Sequence, residues 1–195
     1  MTPIAIVGLG NPEPEYVGTR HNIGFWLLDN LAGKYSCKWK KARKFHSFTT
    51  FLKTWTRPAL LVKPLTYVNE SGAYLKPLLS YHGCNLNDLV VVHDDMAFDV
   101  GLLKISAEKG AGGHNGIKNI IKKVGSNFIR FRIGIGAKKV QRSMTSHVLG
   151  KFSPEEVAVM TKNFYFFSES LQHIVDKGTA HAMNLSNKRN KPTHG

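Results

Sequence analysis

A single α/β domain with a mixed, mostly parallel central sheet and helices on both faces is the fold that this 195-residue sequence predicts. Three observations carry that expectation. Short apolar, β-branched runs alternate along the chain with stretches of helical spacing, the order that builds α/β sheets. Two of these runs, Pro3 to Leu9 and Leu89 to His93, end directly in a glycine turn or in Asp94 and Asp95, as strands do where a sheet meets its ligand-bearing loops. A third pair, 45–56 and 59–62, is joined too closely for a crossover helix, so the sheet is mixed.

Taken in order, Pro3 to Leu9 is a buried strand closing on Gly8-Leu9-Gly10, and Asn22 to Tyr35 carries apolar residues at helical spacing, starting close to His21. Phe45 to Thr56 alternates and is rich in Phe and Thr, and Ala59 to Val62 is compact and apolar, so the two pair. Val68 to His82 reads as a helix starting near Asn69, with Pro77 kinking or breaking it. Leu102 to Ser106 is a weaker strand before the loop KGAGGHNG. Gly116 to Val124 follows as a helix, Phe128 to Ile135 as a strand, and Pro154 to Lys177 as a long helix with Pro154 and Glu155 in its first turn. The domain spans residues 1–185, and 186–195 reads as a loose basic tail.

Hydrophobic residues make up 42% and charged residues 21%, which excludes extended disorder and coiled coil. Cys37 and Cys84 lack CxxC spacing, which argues against a disulfide framework or a cysteine zinc site and for a reducing, cytoplasmic setting. The N-terminal stretch has no signal-sequence pattern and no segment is apolar enough to span a bilayer, so no membrane role is expected. The Asn-x-Ser triplets at Asn69 and Asn184 are therefore incidental.

The net charge is +14, and its placement is one-sided. Asn30 to Asn69 holds nine Lys or Arg and no acid, and Lys109 to Pro154 holds ten and again no acid. Such stretches repel themselves unless an anion lies opposite, so a polyphosphate partner, nucleic acid first, is the expectation.

Chemistry concentrates in three clusters: Gly8-Leu9-Gly10-Asn11 with Tyr16 and Thr19-Arg20-His21-Asn22; His93-Asp94-Asp95; and Gly110 to Gly116 with His114 and Asn115 inside. His21 is the candidate general base, because imidazole titrates near neutrality and Asp94 could hold its tautomer; a cap or surface role is the plainer alternative. His114 is ambiguous. Asn69 and Asn115 fit either helix caps or amides that hold a peptide group and polarise an ester carbonyl. A divalent metal at His93-Asp94-Asp95 lacks a second ligand cluster. The Gly8-x-Gly10 turn matches a dinucleotide fingerprint poorly, since Glu13 stands where a small residue is needed.

Six segments together resemble the bacterial-type peptidyl-tRNA hydrolase family in order and spacing. They are Val7 to Pro12 with Tyr16; Thr19 to Phe25; Lys63 to Tyr67 with Asn69 and Ser71-Gly72; His93 to Asp95; Gly112 to Gly116; and Arg132 to Gly136. The resemblance implies a monomeric α/β hydrolase that cleaves the ester between a peptide and the 3′-terminal ribose of tRNA, with no metal or organic cofactor. It implies His21 as catalytic base, Asp94 as its partner, Asn11, Asn69 and Asn115 as positioning amides, Tyr16 at the tRNA 3′ end and Arg132 on tRNA phosphate. Tyr67 is a second aromatic on which an RNA end could stack.

Four positions depart from the family pattern: Glu13 for glycine, Val68 for methionine, Ala97 for aspartate and Ser106 for a basic residue. The last would pass a phosphate contact to Lys104 or Lys109. Two rival readings remain open on the sequence, a non-catalytic RNA-binding module and a nucleotide-dependent enzyme built on the Gly8-x-Gly10 turn.

Overall fold

The computed structural model describes residues 1–107, 110–137 and 143–189. Its strands are β1 (Ile4–Gly8), β2 (Lys40–Ala42), β3 (Ser47–Leu52), β4 (Ala59–Pro64), β5 (Leu89–Asp95), β6 (Leu103–Ala107) and β7 (Ile129–Gly134). They form one sheet in the order β2-β3-β4-β1-β5-β7-β6. The central strands β4, β1, β5 and β7 are mutually parallel, while β2-β3-β4 and β6-β7 are antiparallel. The helices are α1 (Ile23–Lys34), α2 (Leu75–Tyr81), α3 (Asn115–Val124), α4 (Met144–Val148), α5 (Pro154–Lys177) and α6 (Thr179–Arg189).

The period-2 geometry of β1 explains why its sequence is apolar throughout. Ile4 and Ile6 pack with Leu27 and Leu31 of α1 and Phe167 of α5, whereas Ala5 and Val7 pack with Leu78 of α2 and Ile117 of α3. Each central strand is thus buried on both sides. Phe131 and Phe167 meet edge to face at 6.4 Å, and truncating either to alanine would cost about 3–5 kcal/mol.

Glycine spacing at the end of β1 serves packing. A Cβ on Gly8 would lie 2.5 Å from the Gly24 carbonyl oxygen, and one on Gly24 would lie 2.4 Å from the Leu9 nitrogen. The first turn of α1 therefore sits directly against the end of β1, which accounts for Gly8 without a dinucleotide.

Several expectations shift. The continuous helix over Val68 to His82 is instead a 3₁₀ turn at Val68–Glu70 and a short α2. Pro77 neither kinks nor breaks α2, because it falls in the first turn, where the missing N–H has no intrahelical acceptor to lose. β2, α4 and α6 are additions. β2 has only three residues and α4 five, too short for a periodic signal. The tail expected from Ser186 has residues 186–189 inside α6, with Ser186 buried against α5 through Ser170 Oγ at 2.9 Å; residues 190–195 lie outside the described residues. The Asn187 amide bonds both the N–H and the carbonyl of Ile105 at 2.9 and 3.0 Å, shielding edge strand β6. Among the described residues no helix is long and apolar enough to cross a membrane.

Candidate active site

The carboxyl ends of β1 and β5 lie side by side, tied by the Leu9 N–H donating to the Val92 carbonyl at 3.0 Å. Above them opens a cavity of about 910 Å³, walled by Asn11, His21, Tyr67 to Asn69, His93 to Ala97, Gly110 to Asn115, Arg130, Arg132, the α4 residues Met144, Thr145 and Val148, and Leu149 just after that helix. This is where an open α/β sheet is expected to bind ligand.

His21 belongs to a 3₁₀ turn, Arg20–Asn22, that leads into α1. Its Nδ1 lies 2.8 Å from Asp94 Oδ1, and His114 Nε2 approaches the same oxygen at 2.9 Å. The tautomers follow from the partners. His114 Nδ1 accepts from the Ile117 N–H at 3.3 Å, capping α3, so its proton sits on Nε2 and is donated to Asp94. The carboxylate can only accept, so His21 Nδ1 carries the proton there, which leaves the Nε2 lone pair available to a ligand. His93 donates Nδ1–H to the Asp94 carbonyl at 2.8 Å, and among the described residues its buried Nε2 has no partner.

Asp94 is 4% exposed. Burial alone would raise its pKa, but the charges and hydrogen bonds of His114 and His21 outweigh this and hold it well below the usual carboxylate range. Burial likewise works to lower His21, yet the Asp94 charge and hydrogen bond leave its pKa raised above 6.5. His93, fully enclosed and beside His114, is pushed well below 6.5 and is neutral.

Three amides reach the cavity in different ways. Asn11 is held on both sides: its N–H and carbonyl pair with the Asn22 amide at 2.9 Å each, and its Oδ1 accepts from the Val68 N–H at 2.9 Å. Its Nδ2 donor is left for a ligand. Asn69 stands in the 3₁₀ turn after Tyr67, and Asn115 is the first residue of α3. Neither is a cap, since His114 caps α3 and Tyr67 precedes the 3₁₀ turn, so the capping alternative falls for both.

The basic rim lies on β6 and β7. Arg132 donates Nε–H to Asp95 at 2.7 Å and stacks over Phe98 at 5.0 Å, so its terminal nitrogens remain for an anion. Lys104 faces Arg132 directly across the β6–β7 pair and is exposed. Arg130 is buried, bonds the Gly110 carbonyl and secures the glycine loop. Lys109, Lys138, Lys139 and Arg142 lie outside the described residues. Tyr67 is half exposed at the mouth, and a hydrogen bond to the Glu13 carboxylate, and then that carboxylate's charge, push its phenol up. Tyr16 itself is half buried in the 3₁₀ turn Pro14–Tyr16 and is not among the lining residues.

Comparison with known proteins identifies the family. The sequence matches the family model described as Peptidyl-tRNA hydrolase over residues 5–194. It is 42% identical to a peptidyl-tRNA hydrolase of Clostridium novyi, covering 93% of this chain and 96% of that one. A Synechocystis relative of the same description is 38% identical, covering 97% and 98%. Among solved structures, a peptidyl-tRNA hydrolase from Acinetobacter baumannii superposes with a TM-score of 0.88 at 34% identity, covering 95% of each chain. The chain belongs to the peptidyl-tRNA hydrolase family.

Within that family frame, the nucleotide-dependent and non-catalytic readings fall away. The structure brings His21, Asp94, Asn11, Asn69, Asn115, Tyr67 and Arg132 to one cavity, and Tyr16 and Lys104 are not among its lining residues. His114 is the residue that sequence reasoning left undecided, although its place in GGHNG, two residues before the helix expected from Gly116, was the available signal. The α4 wall had no signal beyond Ser143, whose hydroxyl accepts from the Ser146 N–H at 3.0 Å. Ligand atoms of His21, Asp94 and His114, one from each, lie within 4.8 Å of one another, but a divalent cation bound between His21 Nδ1, Asp94 Oδ1 and His114 Nε2 would have to displace the two ring protons now donated to Asp94. His93, Asp94 and Asp95 do not converge, since Asp95 is engaged by Arg132 and by the Ala97 N–H.

Proposed function

We propose that this chain hydrolyses the ester joining a peptide, or an N-blocked aminoacyl group, to the 3′-terminal ribose of tRNA, with His21 as general base and no metal in the reaction. The single observation that carries the mechanism is the His21 Nδ1–Asp94 contact at 2.8 Å, which leaves Nε2 unprotonated in the cavity.

Nε2 takes a proton from water as the oxygen attacks the ester carbonyl carbon, and the Asp94 carboxylate stabilises the imidazolium that forms. The carbonyl oxygen gathers negative charge, for which the amides of Asn11, Asn69 and Asn115 are the donors. Collapse expels the ribose oxygen, which takes the proton back from His21, giving a free carboxylic acid and tRNA with an intact 3′ end. A positioned base supplies about 10²–10⁴ in rate and one oxyanion donor about 10²–10³, enough for an activated ester without Lewis-acid help. Arg132 and Lys104 would meet acceptor-stem phosphate, and Tyr67 and Tyr16 the single-stranded end. A monomer working in the cytoplasm fits this role, which recycles tRNA from peptidyl-tRNA released early by ribosomes.

The test is release of N-blocked aminoacyl groups from tRNA by wild type and by His21→Ala, with tRNA binding followed at two salt concentrations. Wild type is expected to cleave and the variant to bind without cleaving. Binding by wild type with no cleavage would return the chain to the RNA-binding reading.

A further inference from the structure

Immediately before His21 stands Arg20, a charged residue only 7% exposed. Its guanidinium forks onto Glu156 of α5, with Nη2 at 2.8 Å from Oε1 and 2.6 Å from Oε2, while Nη1 donates to the Lys151 carbonyl at 2.5 Å. It also lies 5.1 Å above the Phe152 ring. The backbones close the same seam: the Arg20 N–H donates to the Gly150 carbonyl at 3.0 Å, Thr19 bridges Lys151, and the Phe152 N–H reaches the Gly18 carbonyl at 3.4 Å. Segment 18–20 is thereby stitched to segment 150–152. The first runs straight into His21, and the second follows directly from α4 and Leu149, one wall of the cavity.

We infer that the Arg20–Glu156 pair is a positioning device that holds His21 and the α4 wall of the cleft as one unit. The inference rests on the reading of His21 as general base.

Stability alone explains the pair poorly. Arg20 is buried while the Glu156 side chain keeps 27% of its surface exposed, so desolvation of the guanidinium offsets much of an attraction that water already weakens, and the pair adds little to folding on balance. Among the described residues Arg20 Nε is, in addition, buried without a partner, an unmet donor that the fold carries at a cost. Nor does α5 need Arg20 to start, because Ser153 and Glu156 form a complete capping box between themselves: the Ser153 N–H donates to Glu156 Oε2 at 2.7 Å, and the Glu156 N–H to Ser153 Oγ at 3.3 Å. What the rigid guanidinium fork adds is a fixed register between two segments that each adjoin a wall of the cavity, one through His21 and the other through Leu149. A base displaced by even a fraction of its reach loses much of its rate, since about 1 Å of misplacement can cost about a hundredfold.

The capping box also supplies the test. Glutamine serves at the third helical position of such a box, so Glu156→Gln keeps the start of α5 and removes only the charge opposite Arg20. Arg20→Lys keeps the cation and removes the fork; Arg20→Gln removes both. We expect kcat, corrected for folded fraction from thermal unfolding, to fall about tenfold or more in each, with KM changing less than about twofold. Arg20→Lys should retain more turnover than Arg20→Gln. The double variant Arg20→Lys/Glu156→Gln should be no slower than the worse single, as expected for residues acting as a unit. His21→Ala runs alongside. If it keeps turnover, the base assignment itself fails; if it is inactive while Glu156→Gln turns over like wild type, or loses only melting temperature, the positioning role is overturned.

Discussion

At the inner end of the cleft Asp94 accepts from two histidines whose other ring nitrogens have defined roles, whereas at the rim Arg132 spends one nitrogen on Asp95 and Lys104 stands exposed beside it. The inner group is fixed by burial and by hydrogen bonds of 2.8 and 2.9 Å; the rim is a field of positive charge in water. The contrast separates two kinds of work. Bond breaking needs one lone pair in one place, so the inner end cannot absorb substitution. Holding an extended polyanion needs summed charge, so the rim spreads the task and each member matters less.

Asp94→Asn is the sharpest way to break this comparison. An amide cannot accept two N–H donors with a full charge, so His21 loses both its tautomer and the stabilisation of its imidazolium. We expect kcat to fall by about 10²–10⁴. The sign of the pH effect also follows. Asp94 supplies both influences that raise His21, and without it only burial remains, which lowers it. A base works when unprotonated, so activity falls as pH drops through its pKa. The acid limb of the residual kcat profile should therefore move to lower pH in the variant, and a limb that stays in place would detach Asp94 from His21.

The next effect belongs to the rim. Arg132→Ala should raise KM with kcat little changed, and the slope of log affinity against log salt should shrink by about one unit for each phosphate left without its cation. Lys104→Ala should do the same more weakly, because its ammonium is a solvated point charge while the Arg132 plane is braced by Phe98. Equal loss of kcat in either variant would mean that the rim takes part in the chemistry.

How much of this was legible in the sequence differs by region. Three of the four parallel strands, β1, β4 and β5, were readable because burial on both faces makes them near-continuous apolar runs, whereas β7 interleaves Arg130 and Arg132 with its apolar residues. The site's left and right halves were readable as strand-end clusters, but the link between His21 and Asp94, 73 residues apart, rests on β1 and β5 being neighbours, which no local pattern states. His114 was not assignable because its function depends on which nitrogen caps α3. The α4 wall and the Arg20–Glu156 seam were hidden for a different reason: five helical residues have no period, and a pair 136 residues apart leaves no spacing to recognise.

Glu13, one of the departures from the family pattern, gives the smallest expected effect and the finest test of the contrast. It places an anion against Tyr67 at the mouth of the cleft. If the rim acts by summed charge, removing this one negative group without changing its shape should help. Glu13→Gln is expected to lower KM by about two- to threefold at low ionic strength, with kcat unaltered and the gain fading as salt rises to a Debye length of about 8 Å. A KM that rises instead would show that Glu13 holds Tyr67 in place for the RNA end, and the mouth would then belong with the fixed inner site rather than with the diffuse rim.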